Sequence, residues 1–441
     1  MSPNPSTASP AAAPDRNPLD AATRARLDAT IADSIDRLFS HQRPDGHIVF
    51  DLEADATISA EYILLNHYLD EREPELEARL ARYIRAIQEP HGGWALFRGG
   101  DIDISCSVKA YYALKIAGDA ADAPHMTRAR AAILAAGGAE KSNVFTRYQL
   151  ALFAQVPWRA IPVMPVELML MPRWFPVTIW RFSYWSRTVI TPLLVLAALK
   201  PQARNPLGIG VAELFRIPPD RVTVWQTNPT GRKMGDVFLW LDKLLRVVEP
   251  LFPRTLRRKA IDAAVAFFTP RLNGEDGLGA IYPAMANAVM AMEALGYPKD
   301  HPDLVTAKKS VRLLVSRGAP TPDHPEIFVQ PCVSPVWDTS LSTHALLEAG
   351  ISADDPRIAS LCAWMREKQI LDVKGDWAEK APDLEPGGWA FQYGNAHYPD
   401  VDDTAVVGMA LHRADQLRGS PLHAMNIERA ATWIIGMQSS N

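Results

Sequence analysis

One phrase recurs along this chain: an apolar helix end, then glutamine, a polar turn, glycine and tryptophan. "RLFSHQRPDGHI" carries Gln42 and Gly46, and "RYIRAIQEPHGGW" carries Gln88, Gly92 and Trp94. "CAWMREKQILDVKGDW" carries Gln369, Gly375 and Trp377, with a longer turn, and "ATWIIGMQSSN" reaches Gln438. Tyr83, Trp364 and Trp433 each precede their glutamine at the same offset. A supersecondary unit that repeats in this way cannot bury its apolar face alone and stacks on its neighbours. The glutamine amide suits the unpaired backbone groups at a helix end, and glycine permits the tight turn. Tryptophan then packs a large ring on the next helix pair. Between the phrases the apolar period is helical, as in Leu27, Ile31, Ile35 and Leu38 or Ile358, Leu361, Cys362 and Met365. Prolines and glycines punctuate the helices, and alternating strand patterns are missing. These features predict an all-α chain of antiparallel helix pairs closing into (α/α) barrels.

A hydrophobic content of 48% over 441 residues supplies large cores. The net charge of −4 argues against a nucleic-acid binder. Cys106, Cys332 and Cys362 lie far apart and form neither a CxxC nor a zinc spacing, which suits a reducing compartment. "MSPNPSTASPAAAPDRNP" lacks the basic start and apolar run of a signal peptide and reads as a disordered tail, residues 1–18. The longest apolar run, "VITPLLVLAALK", contains Pro192 and is shorter than the ~20 residues of a membrane span. The chain is therefore expected to be soluble or to lie on one leaflet.

"HYPDVDDTAVVGMAL" places Asp400, Asp402 and Asp403 just before an apolar helix. One use for such a group is a helix N-cap at Asp403 or Thr404. Another is a Ca²⁺ or Mg²⁺ site. A third is a Brønsted acid, because crowded carboxylates cannot all ionise cheaply and one retains its proton. Aromatic residues concentrate in "CVSPVWDTSLSTHAL", "GGWAFQYGN" and "PRWFPVTIWRFSYWSRT". Their π faces attract cations. An acid beside aromatic walls is the equipment of carbocation cyclisation.

Together these segments resemble the squalene–hopene cyclases, class II triterpene cyclases. "YPDVDDTAVV" matches the family's DxDD acid motif with its flanks, and "SPVWDTSLSTHALLEAG" its SPVWDT segment. "GDWAEKAPDLEPGGWAFQYGN", "ISAEYILLNHYLD" and "AIQEPHGGWALFRGG" match as well, and the glutamine–tryptophan phrases resemble its QW repeats. The resemblance implies a pair of (α/α) barrels with an apolar cavity between them. It implies Asp402 as proton donor, tuned by Asp400 and Asp403. It places Trp337, Asp338, Phe391 and Trp185 at cation-stabilising positions, and Ile281, Tyr282 and Pro283 in another lining segment. It implies squalene as substrate, hopene or hopanol as product, and neither metal nor cofactor. The family's oxidosqualene branch carries a DCTAE-type motif, so DVDD favours the unoxidised alkene, a weaker base that needs a stronger acid. A related cyclase acting on another polyprenoid is the alternative enzyme. A non-catalytic α/α-toroid binding module would account for the repeats but leave DVDD and SPVWDT without a use.

An oily substrate comes from a bilayer, and residues 233–259 suit a monotopic contact. Val237, Phe238, Trp240, Leu241, Leu244, Leu245 and Val248 share a broad apolar face, and Lys233, Lys243, Arg246, Arg254, Arg257, Arg258 and Lys259 supply positive charge. The competing expectation is a helix that buries this face in a barrel. The family likeness implies a peripheral position on the cytoplasmic side of the bacterial cell membrane and is compatible with a homodimer. The expected organisation is an N-terminal helix, 19–52, belonging to the catalytic barrel. An inserted barrel, 53–332, follows, and then the first part of the catalytic barrel, 333–441. Because the phrase at Gln438 lacks its glycine and tryptophan, the chain is expected to be the N-terminal part of a longer cyclase, cut in mid-repeat and inactive alone.

Overall fold

The computed structural model describes residues 20–228, 231–316 and 327–439; the expected tail, residues 1–18, lies outside them. Asp20 opens α1 (Ala21–Ser40) by accepting the Thr23 N–H. Asp55 opens α2 (Ala56–Leu69) in the same way and, after α3 (Pro74–Ala86), Asp103 opens α4 (Ile104–Ile116). Such side chains satisfy N–H groups that a helix start leaves unpaired. There follow α5 (Pro124–Ala135), α6 (Val144–Leu152), α7 (Tyr184–Leu199), α8 (Lys233–Val248) and α9 (Arg254–Phe268). The remaining helices are α10 (Tyr282–Ala294), α11 (Pro302–Leu313), α12 (Pro335–Glu348), α13 (Pro356–Glu367), α14 (Val401–Arg418) and α15 (Ala424–Gly436). Among the described residues no strand forms, only isolated bridges such as Trp389 with Asp400. The fold is all-α.

Helices α2, α4, α6, α7 and α10 all line one cavity of about 270 Å³, and so form the inner ring of an (α/α) barrel. Helices α3, α5, α9 and α11 pack outside α2, α4, α7 and α10. The division follows from side chains. Inner α4 is buried without a break from Ser105 to Leu114, whereas outer α3 buries only the stripe Leu76, Leu80, Ala81, Tyr83 and Ile84. An all-round apolar helix must be enclosed; an amphipathic one faces water.

A second core gathers Ile48, Val336, Leu346, Trp364, Trp389 and Leu411, with Ile35, Leu38 and Phe39 of α1 packed against it. The N-terminal segment is tied there rather than to the barrel that follows it. Thr339 both accepts from the Ile48 N–H (3.1 Å) and donates to its carbonyl (3.0 Å), and Arg357 lies over the Phe39 ring.

The glutamine phrases act as staples between helix pairs. Gln42 donates to Gly46 O (2.9 Å) and to Arg357 O on α13 (3.0 Å). Gln88 donates to Gly92 O (2.7 Å) and to His125 O on α5 (3.0 Å), while the Trp94 indole donates to Ile84 O. In the third copy the reading at Gly375 and Trp377 is corrected. Gln369 donates to Gly387 O (2.8 Å) and to Asn426 O on α15 (2.9 Å), and the Trp389 indole donates to Met365 O. The glycine stands eighteen residues beyond its glutamine, where the first two copies use four. The turn has swallowed an insertion that carries Asp376 and Trp377. The glycines are required by proximity, since a Cβ on Gly92 or Gly387 would meet the backbone carbonyl of Arg128 or Arg429 at 2.9 or 2.5 Å.

Candidate acid site

The acid triplet is built on a repeat position. In the second copy, Trp94 donates its N–H to Ser107 Oγ (2.8 Å) and accepts from the Asp103 N–H (2.9 Å); Asp103 then caps α4. In the third, Trp389 donates to Thr404 Oγ1 (2.9 Å) and accepts from the Asp400 N–H (2.8 Å). Asp400 therefore occupies the place of the capping Asp103. It is the N-cap residue of α14, correcting the expectation of Asp403 or Thr404, yet its side chain makes no capping bond. The Asp400 carboxylate turns away instead, and its Oδ1 accepts the indole N–H of Trp185 on α7 at 3.0 Å.

Carboxylate oxygens of Asp400, Asp402 and Asp403 come within 4.8 Å of one another, and no fourth His, Cys, Asp or Glu among the described residues joins them. Asp402 is exposed, Asp400 half-buried and Asp403 buried. Burial first, then the charges of Asp400 and Asp402, push Asp403 up to about 8. Burial raises Asp400 to about 7 against the lowering effect of the Trp185 bond. Low local polarity disfavours the charged form, and like charges nearby do so again. The titration belongs to the cluster, which retains a proton near neutrality. One oxygen of Asp403 is buried without a partner.

Aromatic rings back the cluster. Trp185 lies 5.2 Å from Tyr398 between centroids, and Tyr184 stacks on Tyr398 at 6.1 Å and 9°. The Tyr184 hydroxyl donates to Pro399 O (3.0 Å). Trp337 and Phe391 form a separate pair with centroids 6.3 Å apart. Asp338 serves as a tether: it accepts the Phe50 N–H and the Ser334 hydroxyl, both at 2.9 Å, and joins α12 to the N-terminal segment. Tyr282 and Pro283 line the cavity inside the first barrel, while Ile281 packs against that barrel's core. Val189 and Leu193, one and two turns beyond Trp185 on α7, line the same cavity. At 1.5 Å per residue the acid-side indole and the Leu193 wall lie roughly 12 Å apart along one helix face.

Three residues around the acid escaped the sequence reading: Tyr398, Asp376 and Arg271. Tyr398 is fully buried, and its hydroxyl donates to Asp376 (2.5 Å), which Arg271 also grips. The usable signal was the identical "GGW" at Gly92–Trp94 and Gly387–Trp389, which aligns the third copy on Asp400. Nothing local marked Arg271.

Comparison with known proteins agrees with this architecture. A family model described as the squalene-hopene cyclase N-terminal domain matches residues 31–319. Its C-terminal counterpart matches residues 333–441. The chain belongs to the squalene–hopene cyclase family. It is 56% identical over 414 residues to a squalene–hopene cyclase of Zymomonas mobilis, covering 92% of this chain and 61% of that protein. It is 51% identical over 418 residues to one of Bradyrhizobium diazoefficiens, covering 94% and 62%. With one of Alicyclobacillus acidocaldarius it shares 35% over 416 residues, covering 93% and 64%. The chain thus spans less than two thirds of the length of these squalene–hopene cyclases. The two matches together take in most of the first core, the whole of the second and the acid triplet.

Proposed function

We propose that these residues form the acid-bearing part of a squalene–hopene cyclase, which protonates squalene and cyclises it to a pentacyclic hydrocarbon or alcohol. The observation that carries this reading is the cluster of three carboxylates, their oxygens within 4.8 Å of one another, set against the indole of Trp185. Asp402 is the exposed member and meets the substrate. Its O–H bond breaks as a C–H bond forms at the terminal alkene, leaving a tertiary cation. Successive alkene π pairs close C–C bonds and move the cation along the chain. Trp185, Trp337 and Phe391 offer π faces to it, worth about 0.5–2 kcal/mol each where water is excluded. The last cation loses a proton, giving hopene, or takes water and then loses a proton, giving hopanol. The lining at Tyr282 and Pro283 belongs to the same path, reached along the face of α7.

Helix α8 is the membrane contact in this reading. None of its residues is buried, and Phe238, Trp240 and Val247 are at least 60% exposed. The alternative of a face packed into the barrel has no support in that exposure. Lys233, Lys243, Arg254, Arg258 and Lys259 present charge to an anionic leaflet, such as the cytoplasmic one. Arg246 and Arg257 do not join them, being held by Asp242 and by Glu167 and Glu249. No helix among the described residues is long and apolar enough to cross a membrane, so the contact is peripheral.

The test is a chimera in which this chain replaces the matching segment of the Zymomonas mobilis cyclase, incubated with squalene and read by gas chromatography. A pentacyclic product is expected, and Asp402→Asn should lower its formation by about 10²–10⁴-fold. A folded chimera that leaves squalene unchanged would refute the reading. Near-parental turnover by the Asp402→Asn chimera would remove Asp402 from the donor's role.

A further inference from the structure

Behind the acid lies a buried junction that the proton transfer does not itself use. Asp376 sits in the insertion of the third repeat, at the start of a short 3-10 turn, Asp376–Glu379. Its carboxylate accepts the Arg271 Nε–H at 3.1 and 3.0 Å, a terminal N–H of the same guanidinium, and the Tyr398 hydroxyl at 2.5 Å. Arg271 follows α9 of the first barrel and lies over the Phe267 ring at 3.9 Å. The junction therefore ties the insertion of the third repeat to the first barrel. From Tyr398 the contacts run through the ring stack to Trp185, and from the Trp185 indole to Asp400.

A buried ion pair is weak evidence for stability, because desolvating both charges offsets most of their attraction. Here its contacts fix the direction of the Tyr398 hydroxyl. We propose that Asp376, gripped by Arg271, is a positioning residue for the acid: it anchors Tyr398, whose ring holds Trp185 in the orientation from which its indole donates to Asp400. This deepens the cyclase reading and rests on it for its functional meaning. It also gives the insertion a purpose. A turn of four residues at Gln369 would bring no carboxylate to Arg271, and Tyr398 would lose the acceptor of its hydroxyl.

The physical link is the indole N–H. Donation to a carboxylate favours its charged form, so losing the bond makes Asp400 easier to protonate. The titratable and charged groups around this path are few. Asp402 and Asp403 stand on α14, and Tyr184 and Arg187 on α7. His397 and Tyr398 precede α14, Asp376 and Glu379 lie in the insertion, and Arg271 follows α9. Of these, Asp403 alone shares a side-chain hydrogen bond with Asp400, so a change behind Trp185 reaches Asp400 mainly through the indole.

The experiment uses the 441-residue chain labelled with ¹³C at the aspartate carboxyls and ¹⁵N at the tryptophan indoles. Trp185→Phe assigns the indole signal, and Asp400→Asn assigns the carboxyl that titrates near 7. Tyr398→Phe keeps the ring and removes only the hydroxyl; Asp376→Asn removes the charge that Arg271 grips and leaves the Tyr398 hydroxyl a weaker acceptor. In both, the Asp400 midpoint should rise by about one pH unit, and the Trp185 indole signal should no longer follow it. Helical circular dichroism should be unchanged. If both variants fold and the Asp400 midpoint stays in place, the proposal is wrong. If Asp376→Asn does not fold, Tyr398→Phe decides alone. The midpoints are read without turnover, so an inactive chimera would overturn the cyclase reading while these titrations still judge the positioning role.

Discussion

Replacing Asp403 by asparagine should stabilise the chain above neutrality while removing a member of the acid cluster. Asp403 is buried, one of its oxygens has no partner, and its pKa is raised from 3.8 to about 8. Unfolded, the carboxyl ionises above pH 4; folded, it holds its proton until about pH 8. Over that window the native state binds the extra proton, so stability falls as pH rises. The contribution is full below pH 4 and gone once pH passes about 8. At about 1.4 kcal/mol per pH unit, a shift of this size has an upper bound of about 6 kcal/mol. Part of it is repulsion from Asp400 and Asp402, which those groups share. About 2–3 kcal/mol is the expected gain for Asp403→Asn at pH 8. Asparagine carries no charge, and its amide can donate to Asp400. Urea unfolding of the wild-type chain and the variant at pH 5 and pH 8 measures this directly. The variant should lose less stability than wild type between the two pH values. Equal losses would show that Asp403 is ionised in the native state and that burial does not set its charge.

Other outcomes follow from the same contacts. Gly387→Ala should cost about 2–4 kcal/mol in urea unfolding, because its Cβ would press on the Arg429 carbonyl at 2.5 Å. Gln369→Ala should cost about 2 kcal/mol by leaving the carbonyls of Gly387 and Asn426 without their donor. In the chimera, Phe391→Ala should release partly cyclised products, since a cation deprived of its π partner eliminates sooner; chromatograms showing only the parental product would make Phe391 a packing residue. Phe238→Ser with Trp240→Ser on α8 should weaken sedimentation with anionic vesicles by at least about tenfold, with no change in thermal melting.

The division between chain and fold can be read residue by residue. Helical periodicity, the glutamine staples and the acid triplet are local signals, because a helix face and a capping position depend on neighbours a few residues apart. They were sufficient for an all-α repeat protein with a carboxylate triplet at Asp400, Asp402 and Asp403. Local spacing misled at Gln369, where Gly375 and Trp377 imitate a turn that Gly387 and Trp389 make. An insertion is invisible to a count of positions but leaves the hydrogen-bond pattern intact. Tertiary structure alone decided what surrounds the acid. The indole that meets Asp400 lies 215 residues away in sequence, and Arg271 reaches Asp376 across 105. No periodicity links residues so distant. The packing of α7 and α9 against the third repeat sets those contacts, and the burial that raises Asp403 while Asp402 stays exposed is not written in the bare string DVDD.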